Sequence, residues 1–260
     1  MEVVTNKKNL VAIVTGASQG IGKYVAEHFL KKQFKVIAAD INDSVKNKWW
    51  ETNEFKTNLI FIKTDVSKED DVKNMVKTCI DNFGSSINVL VNNAAIANPY
   101  QFDKTIEQLS YDEWNKYIAI NLSSVFLCCK YIIPYMKFPT NGSIINISST
   151  RSLMSEPNSE AYAATKGGVN SLTHALALSY GKDRIRVNCV APGWIHTASD
   201  YELKEHDHDQ HVIKRVGKVE DIAEMVDFLS DNEKSGFITG QTMFVDGGMT
   251  KKMIYTDIKF

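Results

Sequence analysis

Cysteine is scarce in this chain, and its few cysteines follow no metal-binding or disulfide pattern. The 260 residues include four, at positions 79, 128, 129 and 189. Two of them are adjacent and none forms a C-x-x-C pair, which excludes the usual zinc spacing and a disulfide framework. We therefore expect four reduced thiols that pack as small apolar side chains.

The sequence also lacks an excess of basic residues and a membrane-length apolar run. Thirty Lys and Arg residues nearly balance 31 Asp and Glu residues, so the formal net charge is −1. No basic block or stripe indicates a nucleic-acid surface. No apolar run approaches the roughly 20 residues that span a bilayer, and the N-terminal segment has no signal-peptide pattern. We expect a cytoplasmic protein whose partners include neither nucleic acid nor a membrane.

Proline is rare too, with five residues, and no Pro/Ser-rich linker divides the chain. Instead, short apolar runs alternate with helical patterns, which is typical of βαβ units and a parallel sheet. We predict a single α/β domain over residues 1–260, a doubly wound sheet with helices on both faces. The predicted strands are residues 10–15, 35–40, 59–63, 87–91, 143–147, 186–190 and 242–245. The main predicted helices number five. One follows residue 22, one covers residues 68–84 with Ser67 as its N-cap, one contains Tyr162, and two cover residues 110–136 and 219–230.

The first predicted strand runs into a glycine-rich turn and then into a helix. Residues 16–22 read GASQGIG. In a dinucleotide-binding loop, Gly16 allows the tight turn, Gly20 lets the backbone approach a pyrophosphate, and Gly22 lets the helix pack on the strand. The helix N-terminus offers free N–H groups and a positive dipole end to the phosphates. This order of elements predicts a cofactor-binding loop.

Asp40 ends the second predicted strand, about twenty residues after the glycines. A carboxylate at this place binds the ribose 2′-hydroxyl of NAD and repels the 2′-phosphate of NADP. Neither Gln19 nor the residues just after Asp40 supply a basic side chain. The sequence favours NAD; the alternative is that Asp40 caps the following helix.

Tyr162 and Lys166 are four residues apart in the segment YAATK. On a helix this spacing places the phenol and the ammonium on one face, one turn apart. Tyrosine has an ordinary pKa near 10, and a fixed positive charge nearby favours the phenolate. The pair therefore suits proton transfer, although a solvated helix face shows the same spacing.

The chain resembles the short-chain dehydrogenase/reductase family over nearly its full length, in particular its NAD-dependent alcohol and sugar dehydrogenases. The motifs occur in the family's order: TGASQGIG, NNAA, Asn121, INISS, YAATK, APGWIHT and a closing VDGGM. The resemblance implies a Rossmann-like sheet of about seven parallel strands. It also implies a homo-oligomer, a dimer or a homotetramer, in which the helices around Asn121 and after Tyr162 form the subunit contact.

The resemblance also assigns roles to individual residues. Tyr162 would be the catalytic acid/base, and Lys166 would lower its pKa and bind the nicotinamide ribose. Ser149 would hold the substrate oxygen, and Asn121 would support a proton relay from Lys166. The cofactor would be lined on its adenosine and diphosphate side by Gly16, Ser18, Gln19, Gly20, Ile21, Asp40, Asp65, Val66 and Asn93. Its nicotinamide end would be lined by Pro192, Gly193, Ile195 and Thr197, besides Tyr162 and Lys166.

Two segments depart from the family's pattern. The usual NNAG reads NNAA, so Ala95 adds a methyl group near the cofactor. Residues 197–214 form a short polar segment that contains His206, His208 and His211. Its histidine spacing matches no zinc motif, and we predict no metal site but a small, solvated lid over the cleft.

Two charged positions bear on the substrate. Arg151 lies two residues after Ser149, and Glu160 lies two before Tyr162. An arginine there suits an anionic substrate, whereas Glu156 and Glu160 suit the hydroxyls of a polyol. The alternative is that Arg151 pairs with one of these glutamates.

The leading hypothesis is an NAD-dependent dehydrogenase that acts on a small secondary alcohol or its ketone, such as a sugar, polyol or hydroxy acid. Two alternatives remain. One is an NADP-dependent 3-oxoacyl thioester reductase, and the other is a non-catalytic regulator that binds a dinucleotide.

Overall fold

All seven strands lie in one parallel sheet. The computed structural model describes residues 10–45, 48–52, 54–98, 101–102, 104–137, 141–197 and 201–253. The strands are β1 (Val11–Thr15), β2 (Lys35–Asp40), β3 (Leu59–Lys63), β4 (Val89–Asn92), β5 (Ser143–Ile147), β6 (Arg186–Pro192) and β7 (Thr242–Val245). Their order across the sheet is β3-β2-β1-β4-β5-β6-β7. The predicted strands are confirmed, although the fourth starts two residues later and the sixth ends two residues later than predicted. Just before the fourth strand, Val11 N donates to the Asn88 side chain at 2.9 Å.

Helices cover both faces of the sheet. They are α1 (Gly20–Lys31), α2 (Trp49–Thr52), α3 (Glu69–Phe83), α4 (Tyr111–Tyr117), α5 (Ser124–Ile132), α6 (Glu160–Tyr180), α7 (Glu205–Asp209), α8 (Val219–Ser230) and α9 (Asn232–Ser235). Alternate residues of β1 enter different cores. Ile13 packs in the core that contains α3, α5 and α6, and Val14 packs in the one that contains α1 and α8. Burial on both faces explains the continuous apolar runs of the strands.

The sheet's topology places a cleft beside β1. The chain enters β1 first, adds β2 and β3 on one side, and then crosses to β4 on the other. Loops after β1 and β4 therefore diverge at the carboxyl ends of these neighbouring strands, and ligands of open α/β sheets bind at such a point.

The predicted long helix over residues 110–136 is present but changes its winding in the middle. Ser110 caps its start, with a reciprocal capping box to Glu113. A π-helical segment, Ile118–Ser123, separates α4 from α5. Asn121 lies in that wider turn and is buried. Such π segments are rare and often mark functional sites.

This helical stretch corrects the expectation that no apolar segment approaches the length needed to span a bilayer. Over Tyr111–Tyr135 it is long and apolar enough, by length and composition, to cross a membrane. Core helices of soluble proteins meet the same criterion, and α5 contributes Val125, Cys128 and Ile132 to the core.

One local prediction, the N-cap of α3, is wrong, and the solvated character of the predicted lid holds only in part. Ser67 does not cap α3, because Lys68 holds the N-cap position and the Ser67 hydroxyl donates to Asp65 at 2.6 Å. The predicted lid is not solvated throughout, since Asp207 and His211 are buried. Asp207 accepts hydrogen bonds from Lys204 N and the Tyr201 hydroxyl, which ties the segment into a turn. Residues 198–200 of the predicted lid lie outside the described residues.

Candidate active site

Two adjoining cavities occupy the cleft at the carboxyl edge of the sheet. The first, about 380 Å³, lies beside β1 and β2. The second, about 490 Å³, lies beside β5, α6 and the end of β6. Together they form one continuous cleft because they share five lining residues, Ile21, Asn93, Ala95, Ala97 and Thr197. Ala95, which replaces the family's glycine, thus lies where the two cavities meet.

The glycine turn fits a dinucleotide. Gly16 has a φ of 66°, and a Cβ there would lie 2.8 Å from Ala94 Cα. A Cβ on Gly22 would lie 2.2 Å from Gly16 O, so α1 packs against the turn only without a side chain. Gln19 makes no side-chain cap bond to α1, and the first turn of this helix contains no acidic residue. Its N–H groups and positive dipole end are therefore left for an anionic group such as a diphosphate.

Asp40 is held in place by backbone groups on the cleft wall. Its two carboxylate oxygens accept hydrogen bonds from Ser18 N and Asn42 N, each at 2.9 Å. The next helix begins only at Trp49, so Asp40 does not cap it. The carboxylate lines the first cavity, and its position suits the acceptor of a ribose hydroxyl.

Asn93 and Thr15 join the loops after β1 and β4. The Asn93 amide donates to Thr15 O and Gly16 O at 3.0 and 3.1 Å. The Thr15 hydroxyl in turn accepts from Asn93 N and Ala94 N, both at 3.1 Å. These bonds fix the floor of the cleft before any ligand binds.

Tyr162 faces the second cavity near Ser149. Tyr162 lies in the first turn of α6 and is 9% exposed, and Ser149 follows β5. Burial raises the pKa of the Tyr162 phenol, while a hydrogen bond with Ser149 and the charge of Arg151 lower it. A phenol, a hydroxyl and cationic side chains around one cavity are suited to transfer a proton to or from a substrate oxygen.

Lys166 is buried beneath Tyr162. Its Nζ lies 5.6 Å from the centroid of the Tyr162 ring and donates to Ile147 O at 2.8 Å. Burial lowers the pKa of the ammonium from 10.5 to about 8. Lys166 therefore keeps its charge at neutral pH, with one of its three donors used by the carbonyl at the end of β5.

Asn121 lies behind the cleft rather than in its wall. Its Oδ1 accepts from Ile96 N at 2.8 Å, and its Nδ2 donates to Ile96 O at 3.3 Å. The π-helical turn directs this side chain at the backbone after β4. Among the residues predicted to have a catalytic or cofactor-binding role, Asn121 is the one that lines neither cavity.

The other selected residues are brought together as expected. The first cavity is lined by all nine of the adenosine and diphosphate set, Gly16, Ser18, Gln19, Gly20, Ile21, Asp40, Asp65, Val66 and Asn93. The second is lined by Ser149, Tyr162, Lys166, Pro192, Gly193, Ile195 and Thr197. A Cβ on Gly193 would lie 2.8 Å from Asp246 Cα, so the loop after β6 needs glycine to pass β7.

Some lining residues were not identified from the sequence. Ile41 and Asn42 line the first cavity, and Trp194, Gln210 and Met249 line the second. Proximity to Asp40 and Gly193 in the sequence could have identified three of them. Gln210 and Met249 reach the cavity from distant segments; Gln210 lies within the predicted lid and Met249 ends the VDGGM motif, but neither was expected to line the cleft.

Arg151 and Glu156 form an ion pair in the wall of the second cavity. Arg151 Nη2 lies 2.7 Å from Glu156 Oε1, and both residues line the cavity. The alternative that Arg151 pairs with a nearby glutamate is confirmed for Glu156. Glu160 lies at the start of α6, beside a separate small cavity.

The histidines of the predicted lid form no metal cluster within the described residues. Val216 N donates to His208 Nδ1 at 3.2 Å, and His211 lines a small cavity beside Asp246. In the described parts of the chain, one group has potential metal-ligand atoms close together, His28, Glu224 and Asp227. Lys32 Nζ lies 2.5 Å from Asp227 and already neutralises that carboxylate.

The family is decided by a match over most of the chain. Residues 16–250 match the family model described as enoyl-(acyl carrier protein) reductase. This chain belongs to the short-chain dehydrogenase/reductase family. It is therefore an oxidoreductase of small molecules, and enzymes of this family use a nicotinamide dinucleotide.

Relatives with several named activities cover nearly the whole chain. An uncharacterised oxidoreductase of Thermotoga maritima is 42% identical over 95% of this chain and 98% of its own. Glucose 1-dehydrogenase 2 of Bacillus subtilis is 35% identical over 92% and 94%. The 3-oxoacyl-(acyl-carrier-protein) reductase FabG of Staphylococcus epidermidis is 37% identical over 93% and 99%.

Solved structures of relatives share the fold. An apo SCOR enzyme from Clostridium thermocellum superposes with a TM-score of 0.85 at 38% identity, over 97% of this chain and 98% of its own. The ligand-free aldohexose dehydrogenase of Thermoplasma acidophilum gives 0.85 at 32% identity, over 98% and 99%. The predicted α/β, Rossmann-like fold of about seven parallel strands is thereby confirmed.

Proposed function

We propose that this protein is an NAD(H)-dependent dehydrogenase that interconverts a secondary alcohol and its ketone. The observation that carries the cofactor choice is the charge of the first cavity. Its described lining contains the carboxylates of Asp40 and Asp65 and no Lys or Arg. A 2′-phosphate would meet the Asp40 carboxylate with no cation among these residues to offset it, whereas ribose hydroxyls can donate to it.

The cofactor preference is tested by titrating NAD and NADP against the protein and following ligand-induced quenching of tryptophan fluorescence. We expect NAD to bind at least tenfold more tightly. Replacing Asp40→Ser together with Asn42→Arg should reverse the ratio, because it removes the carboxylate and adds a phosphate-binding cation. Asp43→Ser is the control, since Asp43 pairs with Lys63 and does not line the cavity. Equal affinities in the wild type would contradict the assignment.

The residues around the second cavity would carry the proton chemistry. A bound nicotinamide supplies the hydride acceptor or donor. In alcohol oxidation, Tyr162 takes the hydroxyl proton, and Ser149 donates a hydrogen bond to the substrate oxygen. The Lys166 ammonium favours the tyrosinate and retains donors for a ribose hydroxyl. Asn121, which is hydrogen-bonded to the backbone of Ile96, would support the proton relay from Lys166 by holding this backbone segment in place.

The substrate class is a small sugar, polyol or hydroxy acid. Two relatives carry names of sugar dehydrogenases, glucose 1-dehydrogenase 2 and aldohexose dehydrogenase. The second cavity, about 490 Å³, is the size of a pocket for a small organic molecule. Screening aldoses, polyols and hydroxy acids with NAD, with Tyr162→Phe as the inactive control, tests this class.

The first alternative is an NADP-dependent 3-oxoacyl thioester reductase. It is favoured by the 37% identity to FabG, and the name of the family model, enoyl-(acyl carrier protein) reductase, likewise points to an acyl thioester substrate. The carboxylate of Asp40 opposes it. Faster turnover of an acetoacetyl thioester with NADPH than of any alcohol with NAD would support this alternative over the proposal.

The second alternative is a regulator that binds a dinucleotide without turnover. It is disfavoured because Ser149, Tyr162 and Lys166 are all present around one cavity. Tight NAD binding without turnover of any member of the panel would favour it.

We further propose a cytoplasmic homo-oligomer, a dimer or homotetramer. Large apolar side chains lie exposed on the helices that would meet in a subunit contact, Phe126 at 52% and Leu178 at 85%. Light scattering on the purified protein measures the subunit number. Leu178→Glu should lower it if α6 forms the contact, because a buried unpaired carboxylate is costly.

A further inference from the structure

Four ionisable side chains line the described wall of the second cavity: Arg151, Glu156, Tyr162 and Lys166. The proposed proton chemistry uses Tyr162 and Lys166. Arg151 and Glu156 remain without a role, although an ion pair that faces a substrate cavity is unlike the exposed pairs elsewhere on the surface.

Arg151 is fixed relative to the reacting groups. It lies in a single 3₁₀ turn, Thr150–Ser152, that begins directly after Ser149. Its backbone N–H donates to Ser149 Oγ at 3.2 Å, and its side chain is 19% exposed. Its charge also acts on Tyr162, where it lowers the pKa of the phenol. The guanidinium is thus part of the cavity that holds the substrate oxygen.

The Glu156 side chain is held less firmly in the cavity wall than that of Arg151. Its side chain is 52% exposed, so water can solvate the carboxylate if it leaves the guanidinium. Its backbone is anchored separately, since the Ser159 hydroxyl donates to Glu156 O at 2.6 Å. An exposed partner contributes little net free energy to an ion pair. A desolvated guanidinium, however, needs an anion, and a planar carboxylate matches its fork of donors.

We propose that Arg151 binds a carboxylate of the substrate in the place that the Glu156 carboxylate holds in the free enzyme. Resting on the proposed function, this makes the substrate a hydroxy acid and the product its oxo acid. In oxidation the carbinol C–H electron pair passes to NAD⁺ as hydride and the O–H proton passes to Tyr162. A C=O bond forms, and the substrate carboxylate keeps its charge on Arg151 throughout.

The test compares hydroxy acids with their primary amides, which have the same carbon skeleton without the charge. The readout is the ratio of kcat/KM for each acid to that for its amide. Arg151→Gln should lower this ratio tenfold or more, because the KM of the acid rises. The kcat should fall for both substrates, because the charge that favours the Tyr162 phenolate is lost. Glu156→Gln should raise the ratio severalfold, because it removes the competing carboxylate. Arg151→Lys should restore part of the ratio.

Lys77→Gln is the matched control, because Lys77 forms an exposed ion pair with Asp81 on α3, away from the cleft. It should leave the ratio unchanged. Equal losses for acid and amide in Arg151→Gln would overturn the proposal and leave Arg151 as a positioning residue for Tyr162. A phosphate ester that outcompetes the matched carboxylate would also overturn it.

Binding separates this inference from the proposed function. Calorimetry on NAD-loaded Tyr162→Phe protein measures the affinity for acid and amide without turnover. Suppose that binding of the acid depends on Arg151 but the wild-type protein oxidises no alcohol. This result would support the anion site and reject the dehydrogenase assignment. If the wild-type protein oxidises alcohols but acid and amide bind equally well to the Tyr162→Phe protein, only the anion site is rejected.

Discussion

Burial and the neighbouring Tyr117 oppose the ionisation of Tyr162, whereas Ser149 and Arg151 favour it. Burial raises the pKa of the phenol, and Ser149 and Arg151 lower it. Lys166 is charged below pH 8, because burial lowers the pKa of its ammonium only to about 8. The four-residue spacing predicted the Tyr162–Lys166 pair. The influence of Arg151 on Tyr162 was not predictable, since it depends on how the loop after β5 folds back.

At this scale we predict a shift in the pH profile. The value of kcat/KM for alcohol oxidation should rise with pH, because the phenolate of Tyr162 is the base. Ser149→Ala should move this rise to higher pH and lower kcat by about 10²–10³-fold, since it removes a hydrogen bond that favours the phenolate and binds the substrate oxygen. Steady-state rates between pH 6 and 10 measure the shift. Ser152→Ala, in the same turn, is the control, and an unchanged profile in Ser149→Ala would contradict the assignment.

Among the elements, helices that begin and end at strong local signals were the most predictable. The capping box of Ser110 and Glu113 and the glycine after α3, with a φ of 91°, are examples of such signals. The π-helical segment in the long helix was not predicted, because no residue in Ile118–Ser123 prevents regular winding; packing of Asn121 against Ile96 accompanies it. The segment after Thr197 was predicted as solvated because its composition is polar, yet Asp207 and His211 are buried within it.

His211 makes this segment sensitive to acid. The ring is buried, and burial lowers the pKa of the imidazole below 6.5 against the opposing effects of the Asp207 and His208 backbone and the Asp246 charge. Below pH 6.5 the unfolded chain takes up a proton that the folded chain does not, so the free energy of unfolding falls as the pH drops. One proton sets an upper limit of about 1.4 kcal/mol per pH unit on this slope.

We predict that His211→Phe removes this slope. Chemical denaturation at pH 5, 6 and 7 measures the free energy of unfolding of the wild type and the variant. His206→Gln is the control on the same short helix, where the side chain is 70% exposed. Parallel curves for the wild type and His211→Phe would show that His211 does not cause the acid sensitivity.

At the scale of the whole molecule, the four cysteines act together. All are free and buried, as predicted. Burial raises the pKa of Cys189 to about 11 and of Cys79 and Cys129 to about 12, and it also raises the pKa of Cys128. Above pH 9 the unfolded chain loses thiol protons that the folded chain retains, so stability falls with rising pH.

We predict a steep alkaline loss of stability. Four thiols can together contribute up to about 5 kcal/mol per pH unit between pH 9 and 11. Urea denaturation at pH 8 and pH 10 measures this slope, and Cys79→Ala should make it shallower by roughly a quarter, whatever its effect on stability at pH 8. An aromatic disulfide reagent should titrate no thiol in the native protein and four after unfolding. Prompt reaction of a native thiol would contradict the burial.

The sequence by itself determined the class of fold, the positions of its strands and the residues around the cofactor cleft. These follow from local causes: apolar runs buried on both faces, glycines where a Cβ would collide, and a helical spacing that brings Tyr162 beside Lys166. Only the tertiary structure decided the order of the strands, the approach of Gln210 and Met249, and the pairing of Arg151 with Glu156 in the cavity wall. Those depend on how distant segments pack, and neither periodicity nor spacing along the chain records that.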